Sequence, residues 1–300
     1  MSTPTDWLAF SSPAKINLFL HITGRRPDGY HTLQTIFQLL DYGDTLYFHP
    51  NHSNTVNLLT PLADVPDDQN LIIRAARLLA DHVGPPPFGV DIRINKRLPM
   101  GGGLGGGSSN AATTLLALNA LWKSGLSTRA LADLGLRLGA DVPVFVHGHT
   151  AWGEGVGEQL TPLVRPAQNG AAWFLVVKPN CEVSTASVFS HKRLTRDTPI
   201  RKIAPAVERL DASYRNDCQA VVSEIYEAVN QALTWLGQYA EAMLTGTGSC
   251  IFAEFTSQAD AEQVLNKLPD QWTGFVAKGV DTSPLLSEVR SFTTCERQQM

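Results

Sequence analysis

Residues 98–119 read LPMGGGLGGGSSNAATTLLALN, and six of the seven residues from 101 to 107 are glycine. Glycine loses more backbone freedom on folding than any other residue, so a run of this kind needs something to offset its ordering. Val90, Ile92 and Ile94 alternate with polar residues as a strand before it, and residues 111–122 carry helical sequence after it. Strand, glycine loop and helix in that order make an anion site. Backbone N–H groups turn inward, no Cβ obstructs a phosphate, and the helix N-terminus adds unpaired donors and its dipole. Ser108, Ser109 and Asn110 fall where that helix begins, positioned to cap it or to donate to phosphate oxygens.

The loop is not a Walker A loop, because no Lys follows the glycines. A GxGxxG match exists at Gly101, Gly103 and Gly106, but another helix follows instead of a buried strand ending in an acid, which removes the dinucleotide reading. The VAIK, HRD and DFG elements of a protein kinase are absent. A flexible linker is the bland alternative, and the helical sequence at the run's end argues against it.

Two charged residues flank this loop in the chain. Residues 13–22, PAKINLFLHI, alternate cleanly, with Ile16, Leu18, Leu20 and Ile22 on one face and Lys15, Asn17, Phe19 and His21 on the other. The pattern predicts a half-buried strand with Lys15 and Asn17 on its open face. It ends in a Pro27-Asp28-Gly29 turn, directly followed by Tyr30 and His31. Asp141 follows a helix capped by Ser127 that carries Leu131, Leu134 and Leu138, and it precedes the apolar run VPVFV. By position alone Lys15 is an exposed strand lysine and Asp141 a turn residue at a helix end.

The remaining elements must hold these residues together. Residues 33–40 form an apolar segment that runs into a loop at 41–44, and residues 70–79 a helix with Asn70 as N-cap, broken by Pro85, Pro86 and Pro87. A boundary is expected across residues 154–168, rich in Gly and Pro. Beyond it come a buried strand at 172–177, a long helix at 221–236, a glycine turn into a strand in TGTGSCIFAEF, a capped helix at 257–268 and a final strand, GFVAKGV. That succession suggests an α+β second domain.

A chain of 300 residues suits two domains, or one large one, and 43% hydrophobic with 17% charged residues supports a sizeable core. A net charge of −4 gives no general reason to bind nucleic acid or anionic membrane. No apolar run reaches the ~20 residues of a membrane helix, and the amino terminus lacks signal-peptide features. Cys181, Cys218, Cys250 and Cys295 are widely spaced, which fits reduced thiols in a cytoplasmic protein. The assembly expected is a monomer or homodimer.

The pattern PxxxGLG followed by small polar residues and a helix, at residues 99–112, resembles the phosphate loop of the GHMP kinases, which include galactokinase, homoserine kinase and mevalonate kinase. PAKINLFLHITGRRPDGYHTLQTIFQLLDYGD, LGADVPVF and LTGTGSCIFAEF resemble further motifs of that family, so the likeness runs from Pro13 to about Gly279, with residues 197–210 least informative. The resemblance implies a two-domain α+β fold. Residues 1–160 would form an ATP-binding domain like ribosomal S5 domain 2, residues 161–300 a ferredoxin-like domain, with the site between them. The motifs fit best a branch of the non-mevalonate isoprenoid pathway. That branch transfers the γ-phosphoryl group of ATP to the 2-hydroxyl of 4-diphosphocytidyl-2-C-methyl-D-erythritol.

The resemblance also implies roles. Asp141 matches the family's catalytic aspartate and Lys15 its lysine partner; a Lys⁺ beside the carboxylate would balance its charge and polarise a poorly acidic tertiary hydroxyl. Asn17 would orient substrate hydroxyls, with a solvent-facing Asn as the alternative. Tyr30 would stack on the cytosine and His31 hydrogen-bond its edge, with Phe189 and Thr185 closing the other side; core packing and helix capping are the rival readings for those last two. Asn70, Leu71 and Lys96 would line the adenine pocket. Pro99, Met100, Gly101, Gly102, Gly103, Leu104, Gly105, Gly106, Gly107, Ser108 and Ser109 would wrap the phosphates, supported by Thr247 and Gly248. Mg²⁺ is expected as the counterion of ATP. No metal ligand is named, because Gly106 and Gly107 stand where several cousins place small polar residues. The rivals are another kinase or a decarboxylase of this family, and a ligand-binding protein without turnover, which would have no need of both Lys15 and Asp141.

Overall fold

The computed structural model describes residues 7–62, 65–164, 172–203 and 213–298. Strands β1 (Leu8–Arg25) and β2 (His31–Asn51) form a long antiparallel hairpin around the Pro27-Asp28-Gly29 turn, where Gly29 takes φ 90°. β3 (Val56–Leu58), α1 (Leu71–Val83) and β4 (Gly89–Asn95) follow. Asn70 caps α1 by accepting from Ile72 N at 2.9 Å, and left-handed Gly84 ends it, one residue before the prolines. Next come α2 (Gly106–Leu121), α3 (Thr128–Leu136), capped by Ser127, α4 (Val142–His147), β5 (Ala151–Glu154) and β6 (Gln159–Pro162).

The second half contains β7 (Trp173–Lys178), α5 (Thr185–Ser190), α6 (Gln219–Ile225), α7 (Glu227–Leu236), β8 (Ala242–Leu244), β9 (Ile251–Phe255), α8 (Gln258–Leu265), β10 (Thr273–Val280) and α9 (Pro284–Gln298). The strand order β3-β4-β2-β10-β7-β9-β8 joins two parts, linked in the sheet where Gly279 and Val280 of β10 pair with Leu40 and Leu39 of β2. The order β10-β7-β9-β8, with helices between β7 and β8 and between β9 and β10, is the β-α-β-β-α-β ferredoxin-like pattern.

Three expectations need correcting. β1 is buried on both faces: Lys15 is 3% exposed, Asn17 2% and His21 0%. Alternation marks a half-buried strand only when nothing covers the polar face, and here Gly103 and Asp141 meet Lys15, Thr245 meets Asn17 and the Tyr214 ring stacks on His21. The chain at 215–217 also pairs along the strand's edge. Leu20 N donates to Arg215 O, and Asp217 N to Leu20 O. Residues 41–44 are not a loop; β2 runs through them, and buried Asp44 accepts from Arg97 N and Leu98 N, each at 2.8 Å. The helix expected at 221–236 is two helices separated at Tyr226, which is extended (φ −117°, ψ 92°). GFVAKGV forms β10, the last strand, as expected, and α9 then returns to β1, where Glu288 accepts from Ser11 N and Ser11 Oγ at 2.7 and 2.6 Å.

Three apolar clusters build the interior. One packs α1 to α4 on β2 and β4, a second packs α6 to α8 on β7 and β9, and a third, with Ile16, Phe19, Trp152, Phe174 and Phe252, lies between them. Leu20 and Ile22 of β1 belong to the second cluster, so one strand serves both parts. Of the expected boundary at 154–168, residues 165–168 lie outside the described residues, as do residues 1–6 and the Cys295 side chain. Among the described residues no helix is long and apolar enough to cross a membrane. Cys181, Cys218 and Cys250 are free thiols, and burial pushes the Cys218 and Cys250 thiols up to about 12, which leaves them chemically quiet.

Candidate active site

Two cavities meet at the glycine loop. One, of about 400 Å³, lies over the loop and the start of α1; Asn70, Leu71, Lys96 and every residue from Pro99 to Ser108 line it. The other, of about 790 Å³, runs from Lys15 and Asp141 to Tyr30, His31 and Phe189. Gly101, Gly103 and Ser108 face both.

The helix starts earlier than its sequence suggests. Gly105 is left-handed at φ 70° and turns the chain into α2 at Gly106, so the second half of the glycine run is the first helical turn. The N–H groups of residues 105–108 therefore have no intrahelical partner, since the first such bond runs from Ser109 N to Gly105 O. Ser108 to Asn110 do not cap the helix. Ser109 is fully buried, and its hydroxyl is engaged by Ser12 Oγ at 2.9 Å, which in turn reaches Asn110 Oδ1 at 2.6 Å. Ser109 is thus removed from the phosphate-facing set, and Ser108 remains in it.

Gly103 is the tightest point of the loop. Its φ is 76°, and a Cβ there would overlap the carbonyl oxygen of Thr245. Its own carbonyl accepts from Lys15 Nζ at 3.1 Å. Lys15 Nζ also donates to Asn17 Oδ1 at 2.7 Å and lies 3.2 Å from Asp141 Oδ2. The ammonium is thus held by three oxygens from three elements, and the lysine is far from an exposed strand residue. Asp141 occupies the N-cap position of α4 without making a cap bond, and its side chain is 34% exposed. One carboxylate partner is thus fixed while the carboxylate itself still faces the cavity.

Asn17 does not face solvent. Its Oδ1 holds Lys15 and its Nδ2 donates to Thr35 Oγ1 at 2.9 Å, so its visible duty is to orient the lysine. Thr247 and Gly248 were expected to support the loop, but neighbouring residues do so. Ser249 N and Cys250 N donate to Gly101 O and Gly102 O at 3.3 and 3.1 Å, and Thr245 Oγ1 accepts from Asn17 N at 3.0 Å. Thr247 Oγ1 instead pairs with Thr185 Oγ1 at 2.9 Å. Thr185 is not a cap; Ser184 caps α5 by accepting from Ser187 N.

At the far end Phe189 stacks on His31, with centroids 5.1 Å apart and planes at 22°. Tyr30 is 66% exposed at the tip of the turn, and its ring has no ring partner among the described residues. Burial, reinforced by Arg196 and Arg25, holds the His31 imidazole below its ordinary pKa, so it is neutral near pH 7. Arg196 had no sequence signal. It is a lone arginine in a stretch without a motif, and folding brings its Nε to 3.0 Å from His31 Nε2.

Asn70 keeps both its cap and a free donor. Its Oδ1 binds Ile72 N, while Nδ2 is buried with no partner beside the smaller cavity. Lys96 Nζ is held by Asp44 Oδ2 at 2.7 Å and Leu98 O at 2.8 Å. Among the described residues no group of three or more His, Cys, Asp or Glu could hold a metal ion. Ser108, which faces both cavities, could reach a Mg²⁺ whose other ligands come from phosphates and water.

The sequence models "GHMP kinases N terminal domain" and "GHMP kinases C terminal" match residues 70–149 and 200–274. A 4-diphosphocytidyl-2-C-methyl-D-erythritol kinase of Hahella chejuensis is 55% identical over 294 residues, covering 96% of this chain and 98% of the relative. A kinase of the same name from Marinobacter nauticus is 57% identical over 279 residues, covering 93% and 96%. A crystal structure of 4-(cytidine 5'-diphospho)-2C-methyl-D-erythritol kinase superposes with a TM-score of 0.79 at 30% identity, over 91% of this chain and 99% of the other. A mevalonate kinase superposes at 0.67 with 15% identity, a likeness of fold alone.

Proposed function

The chain belongs to the GHMP kinases, which are ATP-dependent kinases of small molecules, and we propose that its acceptor is the 2-hydroxyl of 4-diphosphocytidyl-2-C-methyl-D-erythritol, giving the 2-phosphate and ADP. One observation carries the reading. The Lys15–Asp141 pair, 3.2 Å apart, sits in the larger cavity where it adjoins the glycine loop, and the aromatic end of that cavity suits a nucleobase.

In this reading the free N–H groups of residues 105–108 hold the triphosphate and the charge on the transferred group. Asp141 accepts the hydroxyl proton, and Lys15 steadies the charge developing on the acceptor oxygen. Asn17 and Gly103 O keep the ammonium aimed at that point. Mg²⁺ carried on the triphosphate would neutralise phosphate charge. Lys15 and Asp141 contribute mainly alignment and electrostatics, which is what phosphoryl transfer asks of a protein. We assign residues 1–160 to nucleotide binding and 161–300 to the second domain, with the β1 end at Leu20 and Ile22 packed into the latter's core.

Incubation with Mg-ATP and 4-diphosphocytidyl-2-C-methyl-D-erythritol, beside mevalonate and homoserine, should release ADP with the first alone. Equal release with mevalonate would refute the acceptor assignment.

Asn70 gives a separate test of the nucleotide pocket. Asn70→Asp keeps a good cap acceptor for Ile72 N and replaces the Nδ2 donor with a second acceptor. The KM for ATP should rise about tenfold, in line with leaving a buried polar atom unpaired, while the melting temperature stays the same or rises slightly. A fall in melting temperature with KM unchanged would restrict Asn70 to capping.

A further inference from the structure

We propose that Arg196 is a positioning residue that fixes His31 as its Nδ1–H tautomer and so makes the base pocket select cytosine over uracil. The proposal rests on the acceptor reading above. A guanidinium has donors and no acceptor, so the ring nitrogen that meets Arg196 Nε at 3.0 Å must carry a lone pair. In a neutral imidazole the other nitrogen then carries the proton. The bond also fixes the ring's orientation, because a 180° flip would put Cε1, which cannot accept, where Nε2 now meets Arg196.

Arg196 cannot turn away to release the ring. Its Nη1 donates to Leu194 O at 3.0 Å, and its Nη2 donates to Phe189 O at 2.8 Å and His191 O at 2.9 Å. Two of those carbonyls lie at the C-terminal end of α5, where helix carbonyls lack intrahelical partners. One guanidinium therefore anchors both members of the His31–Phe189 stack. A positive charge at this distance also opposes the imidazolium, the only other form that would donate from both nitrogens; Arg25 acts in the same sense.

The free ring nitrogen of His31 has no partner among the described residues, and the residue lines the larger cavity. A fixed donor there suits cytosine, whose O2 and N3 are both acceptors. Uracil carries a proton on N3. An unconstrained histidine could serve either base by moving its own proton; one pinned by Arg196 cannot. Selectivity thus comes from a residue on the far side of the ring from the base.

Three measurements test this. In protein labelled with ¹⁵N-histidine, the His31 signal, assigned by its loss in His31→Gln, should show the Nδ1–H form near pH 7. An Nε2–H form overturns the proposal. Next, kcat/KM is compared for the cytidine diphosphate substrate and its uridine counterpart. Arg196→Met should lower the cytidine preference about tenfold or more, chiefly through KM, while Arg196→Lys, which still donates to the ring, restores much of it. Equal losses on both substrates, with the preference unchanged, would mean that Arg196 only supports the fold, and would sink the proposal. Failure of the wild-type protein to phosphorylate the cytidine substrate would refute the acceptor reading instead, leaving the tautomer to be decided by the spectrum, which needs no substrate.

Discussion

Replacing Asp141 by Asn is expected to reduce turnover roughly a thousandfold while ATP affinity stays within a few fold. The change is isosteric and removes the ability to accept a proton. Little else should move. Asp141 makes no cap bond to α4, and its side chain is 34% exposed, so the fold depends on it weakly. Lys15 retains Asn17 Oδ1 and Gly103 O as partners, so the glycine loop keeps its contact with β1. Single-turnover rates and nucleotide binding measured side by side separate the possibilities. Turnover within tenfold of wild type would exclude Asp141 as the base. Lost ATP binding would make it a structural residue or a metal ligand.

Gly103→Ala is expected to lower kcat/KM for ATP about a hundredfold and to destabilise the protein by roughly 3 kcal/mol, from left-handed strain together with overpacking. The new Cβ meets the backbone oxygen of Thr245, which a rotamer change cannot relieve. Relief requires the loop and the 245–250 turn to part, which disturbs the Asn17–Thr245 contact and the aim of Lys15. Gly101→Ala is the companion experiment. Gly101 is also left-handed, at φ 64°, but nothing lies within 4 Å of a Cβ there. It should show the conformational cost alone, about 1–2 kcal/mol, with a much smaller kinetic effect. Similar losses for both would mean that close approach to Thr245 does not set the loop's geometry. Denaturant midpoints and ATP titrations of the two variants give the answer.

Much of the site was legible because its signals are local. A glycine run before a helix can be read as an anion loop from backbone chemistry alone, and Asn70 as an N-cap from its place before an apolar helical stretch. The order of elements in the second half was legible through hydrophobic periodicity, although the break at Tyr226 was not, because an apolar helical pattern runs through it unbroken. Lys15 and Asp141 were different. Their positions suggested exposed residues, and only the likeness of whole motifs to the GHMP kinases paired them.

Sequence alone determined which residue types are available: side-chain-free positions for a phosphate, one lysine and one carboxylate for an alcohol, and aromatic residues after a turn. Tertiary structure decided what each polar side chain faces. It buried both faces of β1, assigned Asn17 to the lysine, withdrew Ser109 into a network with Ser12, and set Arg196 behind His31. The physical reason is range. Helix starts, turns and strand periodicity depend on neighbours a few residues apart. The partner of a buried donor can lie anywhere in the chain, here 165 residues away from His31 to Arg196.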